Sequence, residues 1–251
     1  MSGTARLRQI TEAVRDAGSV GVAELAELTG TSEMTIRRDL EALAAQGVLE
    51  RYRGGARSLL LRGEEPPFAL RAQEGLEAKR RIAAEVAGLI ADGESVVLDS
   101  GTTCLEVARA LVPRRLTVMP LSLHAVNALT GGPQLTLLVP GGRPRPGELA
   151  LTGPLTEASL TALRFDTAVL GCCGLTAEHG LTAYDLDDAA VKRTAIGCAR
   201  RVIAVAEAGK LSRTALAHVA PVDALHAVVT DAVPDDRTER LAAAGVTVRT
   251  V

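Results

Sequence analysis

Two groups of residues in this 251-residue chain carry chemistry, and both suit phosphate. The first is cationic. Arg37 and Arg38 stand side by side, and Arg51, Arg53 and Arg57 follow shortly after. A guanidinium donates forked hydrogen bonds that fit phosphate oxygens and the major-groove edge of guanine. The second group is rich in hydroxyls. Asp99-Ser100-Gly101-Thr102-Thr103 follows the apolar run 95–98 and leads into a helical pattern. Such a turn offers backbone N–H groups, side-chain donors and the positive end of a helix, all suited to a small anion. Three more turns follow apolar runs: Val139-Pro-Gly141-Gly142-Arg143, Gly171-Cys-Cys-Gly174 and Glu207-Ala-Gly-Lys210. The last would bring one ammonium to the same place. Capping, tight turning and solvated charge would explain each loop singly, so a site requires that they converge on one sheet edge. Acid–base chemistry has less support. The 171–175 turn holds no carboxylate, and Asp185, Asp187 and Asp188 fall where a helix starts and acids suit its dipole. No Ser-His-Asp arrangement or Walker-type loop is present, so the residues point to binding without turnover and call for no cofactor.

The arginines need an element that packs on one side and presents them on the other. With Ile36 at zero on a helical wheel, Leu40 and Leu43 fall within about 40° of it, while Met34, Arg38 and Glu41 point away and Arg37 and Thr35 flank. Ser32 suits the N-cap of this helix. A shorter helix, 22–28, is expected to bury Val22, Leu25 and Leu28, with Gly30 turning the chain in a left-handed conformation. An earlier helix carries Leu7, Ile10 and Val14 and closes at Gly18. Gly47 ends the second helical run, residues 48–53 alternate like a strand, and Gly54-Gly55 turns it back. These parts form a winged helix-turn-helix over residues 1–57. Its helix would face DNA with Ser32, Met34, Thr35, Arg37 and Arg38, and its wing would contact phosphates through Arg51, Arg53 and Arg57.

Charge is local. Residues 1–57 hold eight Arg against eight acids, whereas 51–62 hold four Arg and no acid, and the whole chain carries a formal charge of −2. Such a protein does not coat nucleic acid indiscriminately; it would bind by geometry and weaken as salt rises. The four cysteines (104, 172, 173, 198) lack a Cys-x-x-Cys pair, and the four His residues lack ligand spacing, so neither a disulfide framework nor a metal site is expected. Cys172-Cys173 reads as small apolar residues at a strand end, with redox sensing as an alternative. No apolar run reaches membrane-spanning length and no targeting segment is seen, so the expected location is the cytoplasm.

Residues 58–75 hold a triple leucine, two prolines and mixed charge, which reads as a linker. From there to residue 251, short Val/Leu runs alternate with helical stretches. The runs are 95–98, 116–121, 135–139, 167–170, 202–206, 224–230 and 246–249, and the helices include 77–91, 155–163, 188–200 and 235–244. Continuous apolar runs between helices predict strands buried on both faces of a mostly parallel sheet, hence a larger α/β domain over 76–251.

The chain resembles the DeoR-type (DeoR/GlpR) transcriptional regulators over nearly its full length. The marks are Thr35-Ile-Arg-Arg-Asp-Leu40, Gly54-Gly-Ala56, Leu98-Asp-Ser-Gly-Thr-Thr103, Pro140-Gly-Gly142, Gly180-Leu-Thr182 and Lys210, in that order. The resemblance implies a winged helix-turn-helix joined to a sensor domain similar to ribose-5-phosphate isomerase, which binds phosphorylated sugars without converting them. It implies that Asp99, Ser100, Gly101, Thr102 and Thr103 form the phosphate loop, that Lys210 assists, and that Gly141, Gly142 and Gly174 line the pocket. It further implies a homodimeric or homotetrameric repressor of a carbohydrate operon, released from double-stranded operator DNA by the sugar phosphate. Four positions depart from the family's pattern: Pro120-Leu121 replaces Thr-Asn, Glu207 replaces Asp, and Arg53 replaces His. The missing amide leaves the identity of the sugar open. A sugar-phosphate isomerase with an appended binding module is the alternative of another class.

Overall fold

The structure is a computed structural model describing residues 3–45, 48–59 and 67–251. Its contacts divide into two units, Met1–Glu74 and Gly75–Val251. Gly47, the expected helix end, lies outside the described residues, as do residues 60–66 of the expected linker.

The first unit runs α1 (Gly3–Ala17), β1 (Ser19–Gly21), α2 (Val22–Thr29), α3 (Glu33–Ala45), β2 (Leu49–Tyr52), β3 (Gly55–Ser58) and α4 (Phe68–Arg71). Ile36, Leu40 and Leu43 of α3 are buried with Ile10, Val14, Leu25 and Leu49, as the wheel requires. Ser32 caps α3: its Oγ accepts from the Thr35 N–H at 3.3 Å and lies 3.0 Å from the Thr35 hydroxyl. Gly30 ends α2 in the left-handed region, φ 64°. Leu28 is a correction, since it is half exposed and Thr29 is buried in its place. At about 100° per residue, position 29 lies nearer to the line through Val22 and Leu25 than position 28 does, and the Thr29 hydroxyl satisfies itself on the Leu25 carbonyl at 2.7 Å. Asp39, inside α3, is buried and receives Arg6 at 2.6 Å. The wing has three strands, ordered β1-β3-β2, because the short β1 pairs with the outer side of β3. The segment expected to be a linker carries structure of its own: Ser58 closes β3, and Leu70 of α4 packs into this unit's core.

The second unit runs α5 (Leu76–Leu89), β4 (Ser95–Leu98), α6 (Thr102–Leu111), β5 (Thr117–Pro120), α7 (Leu123–Leu129), β6 (Thr136–Leu137), β7 (Arg143–Pro144), β8 (Leu151–Thr152), α8 (Pro154–Thr161), β9 (Phe165–Gly171), β10 (Gly174–Thr176), β11 (Gly180–Ala183), α9 (Leu186–Gly197), β12 (Ala199–Ala206), β13 (Ala217–Ala220), β14 (Ala227–Thr230), α10 (Asp236–Ala243) and β15 (Thr247–Thr250). A 3₁₀ turn, Ala208–Lys210, follows β12. Seven strands form one parallel sheet ordered β15-β14-β12-β9-β4-β5-β6. Alternate residues of its strands enter two cores. Val96, Leu98, Val169, Ile203 and Val229 meet α5, α6 and α7, while Val97, Ala168, Leu170, Ala204 and Val228 meet α8, α9 and α10. Burial on both faces is why these strands read as unbroken apolar runs. Beside the parallel sheet lie a small antiparallel sheet, β10-β11-β13, and the β7–β8 hairpin, neither of which the apolar runs foretell. No helix among the described residues is long and apolar enough to cross a membrane.

Candidate nucleic-acid interface and anion site

On the first unit, α3 turns Met34, Arg37 and Arg38 outward, with Met34 65% exposed. Arg37 is held by Glu33 one turn earlier at 2.8 Å, whereas Arg38 extends from the exposed face. Thr35 is half-buried and engaged in the cap with Ser32. On the wing, Arg57 pairs across the strands with Glu50 at 2.6 Å, Arg51 lies 3.8 Å from Glu41, and Arg53 stands exposed in the turn. Exposed ion pairs of this kind contribute about 0–1 kcal/mol, so a phosphate can replace the carboxylate at little cost.

On the second unit, the order of strands creates a switch point. From β4 the chain builds outward to β5 and β6, then returns to the other side of β4 with β9, β12, β14 and β15. Ligands of open parallel sheets bind beyond the carboxyl ends of the strands where the order reverses, here between β4 and β9. The Asp99–Thr103 loop leaves β4 at that place. Gly101 takes φ 96°, which lets the chain turn into α6, and it has no side chain to cap the N–H groups of the helix's first turn. Thr102 and Thr103 are buried, and Ser100 is half-buried.

Asp99 has a different task from the hydroxyls beside it. Its carboxylate is 1% exposed, accepts from the Gly171 N–H at 2.9 Å and pairs closely with Lys192 of α9. Lys192 also meets Asp188 at 3.4 Å, and Asp188 lies in the first turn of α9, whose cap is Asp185. Burial opposes the charge on Lys192, but Asp188 and Asp99 together outweigh it and raise its pKa above the usual lysine range. The ion pair thus ties the start of the Asp99–Thr103 loop to the end of β9 and to α9.

Across from the loop stands Glu207, the first residue after β12. Its Oε1 accepts from the Thr103 hydroxyl at 3.4 Å, and its Oε2 lies 3.7 Å from the Nζ of Lys79, a buried lysine of α5. Lys210 is one turn further along, its N–H bonded to the Glu207 carbonyl at 2.8 Å. Burial, with the charge of Arg213, brings the Lys210 ammonium down to about 8. Glu207 therefore joins the two loops on which Ser100–Thr103 and Lys210 were expected to cooperate.

The three glycines expected to line the pocket are held by packing. Gly141 and Gly142 lie against α8: the Thr156 hydroxyl donates to the Gly141 carbonyl at 2.8 Å, and a side chain on Gly142 would collide with Thr156. Gly174 is pressed onto the Arg213 carbonyl, where no Cβ fits. Cys172 and Cys173 pack on the core, and burial pushes the thiols of Cys172 and Cys104 up, leaving them protonated and poorly reactive. Lys79 and Lys192 went unnoticed in the sequence because a lysine inside an amphipathic helix ordinarily reads as a solvated charge.

The architecture defines a two-part regulator, a winged helix-turn-helix followed by a parallel α/β sensor. The profile of the DeoR-like helix-turn-helix domain matches residues 6–60, and that of the DeoR C-terminal sensor domain matches 74–232. An HTH-type transcriptional regulator, GlpR of Haloferax volcanii, is 34% identical over 97% of this chain and 96% of its own. The glycerol-3-phosphate regulon repressor of Escherichia coli K12 is 32% identical over 93% of both. The chain belongs to the DeoR family of transcriptional regulators. Among solved structures, ribose 5-phosphate isomerase A of Methanocaldococcus jannaschii overlaps 55% of each chain at a TM-score of 0.41 and 15% identity, too loosely to bear on function.

Proposed function

We propose that this regulator represses a carbohydrate operon and is released from its operator by a phosphorylated sugar. The observation that carries the reading is the uncapped N-terminus of α6 at the sheet's switch point, rimmed by the Thr102 and Thr103 hydroxyls with Lys210 on the facing loop. Ser100–Thr103 would receive the phosphate through N–H groups and hydroxyls, and Lys210 would supply the countercharge. Asp99 supports the loop without touching the ligand. Arg38 and Met34 would enter the major groove, Arg37 would exchange Glu33 for DNA, and Arg51, Arg53 and Arg57 would grip flanking phosphates. Two copies of the chain are required, because one small headpiece reads too few bases to find an operator and paired half-sites multiply affinity. Regulators similar to it support this reading: one bears the name of a glycerol-3-phosphate regulon, and another, from Escherichia coli O157:H7, is a putative repressor of the aga operon. They are regulators, and nothing in the site favours the isomerase alternative. The protein would work in the cytoplasm, where its DNA lies.

The test is a thermal-shift screen of phosphorylated sugars on the full chain, with each hit then added to a gel shift on operator DNA. A ligand at a hundred times its Kd stabilises by about 2.7 kcal/mol, which in a chain of this size is a rise of roughly 5–10 °C. A hit that stabilises the protein but leaves the operator complex intact would refute release. If no phosphorylated sugar stabilises it, the effector class is wrong.

A further inference from the structure

The open face of α3 puts an apolar side chain where DNA would be met. Met34 is the most exposed large apolar side chain described in the first unit. It stands in the first turn of α3, four residues before Arg38, so the two lie one above the other on the face opposite the buried Ile36. Polar groups around them are engaged within the unit. The Thr35 hydroxyl is tied into the cap 3.0 Å from the Ser32 Oγ, Arg37 is paired with Glu33 at 2.8 Å, and Glu41 lies 3.8 Å from Arg51 of the wing.

Chemistry limits what Met34 can meet. A thioether has no donor for phosphate or for the acceptors of guanine, and is only a weak acceptor for the amino groups of adenine and cytosine. Pressed on a polar base edge, it would strip water from that edge without replacing the lost hydrogen bonds. The major groove offers one apolar group, the C5-methyl of thymine. An unbranched side chain with three rotatable bonds can settle on that methyl without strain. We infer that Met34 reads thymine through its methyl group while Arg38 beside it reads guanine. Four residues of helix rise about 6 Å and base pairs stack about 3.4 Å apart, so the thymine belongs within about two base pairs of the guanine. This rests on the docking of α3 proposed above and adds the base chemistry that the helix selects.

The experiment uses the full-length protein and duplexes that it selects from random sequence. Selected sites are expected to share a guanine with a thymine within about two base pairs of it; sites with no thymine in that window would overturn the inference. Each thymine of a selected duplex is then replaced in turn by deoxyuridine, which removes the methyl and keeps every hydrogen-bonding group. At the thymine beside the guanine, affinity should fall about fourfold, the worth of one buried methyl group. Because only the DNA is altered, folding of the protein does not enter. With Met34→Ala the same replacement should change nothing, whereas Arg38→Ala should still show the loss. If Met34→Ala loses the same fourfold as the wild type, another residue holds the methyl. If no deoxyuridine weakens binding while Arg38→Ala relaxes the choice of guanine, the docking stands and the methyl contact is refuted. If Arg38→Ala leaves the preference for guanine unchanged, the docking itself is wrong.

Discussion

Raising the pH from 7 to 9 is expected to weaken effector binding about tenfold, with Lys210 as the cause. Burial and the neighbouring charge of Arg213 bring this ammonium down to about 8 from its ordinary 10.5. A phosphate bound beside it would add negative charge and return the proton affinity toward the ordinary value, so above pH 8 binding must take up a proton. Below pH 8 the proton is already present and affinity is flat. Above it, affinity falls by close to tenfold per pH unit until the ligand-bound pKa is reached, each unit being worth about 1.36 kcal/mol. The second ionisation of a phosphate monoester, near 6, is nearly complete by pH 7 and adds little to the slope. Stability of the ligand-free protein runs the other way: between pH 8 and 10.5 the unfolded chain holds a proton that the folded one lacks, so this residue's contribution to stability rises with pH. Isothermal titration in two buffers of different ionisation enthalpy reads the proton uptake directly. Lys210→Met should bind weakly and show no slope over this range. An equal slope in wild type and Lys210→Met would refute the assignment of the ammonium to the phosphate.

Arg38→Ala should weaken operator binding by about 1–3 kcal/mol if the side chain reads a base, measured by gel shift against operators altered one base pair at a time; uniform weakening across all of them would place it on a phosphate instead. Lys192→Met should destabilise the protein by about 3–5 kcal/mol, because the buried Asp99 would lose its countercharge, and the Asp99→Asn/Lys192→Met double variant should recover most of that in urea melts. Gly142→Ala should lower thermal stability as its new methyl meets the Thr156 hydroxyl, and an unchanged melting temperature would show that α8 yields there.

The helical wheel around Ile36 located the packed and open faces of α3, because a three-residue apolar stripe and a Ser cap are local signals. The same holds for β4, whose bounds 95–98 agree with the structure, and for the hydroxyl loop after it, since an apolar run ending in Asp-Ser-Gly-Thr-Thr can only turn. Contacts between residues far apart in the chain were not legible. Asp99 looks like one more ligand until Lys192, 93 residues away, is seen beneath it. The packing of Gly141 and Gly142 against α8 is likewise invisible along the chain. The sheet β10-β11-β13 escaped because its strands, such as Gly-Leu-Thr, are short and lack alternation, and because β13 pairs with β11 across α9 and β12. Leu28 misled because a helix of two turns leaves its buried edge decided by one residue, and Thr29, hydrogen-bonded to its own helix, could afford the inner place.

The Asp99–Lys192 pair separates foundation from furnishing. Because the platform under the hydroxyl loop is clamped by charges that never meet solvent, little ordering is left for the ligand to drive, and its binding energy is available for discrimination. If the proposed effector binds there, its preference would be changed by editing residues beside that platform, without disturbing the scaffold that keeps the sheet together.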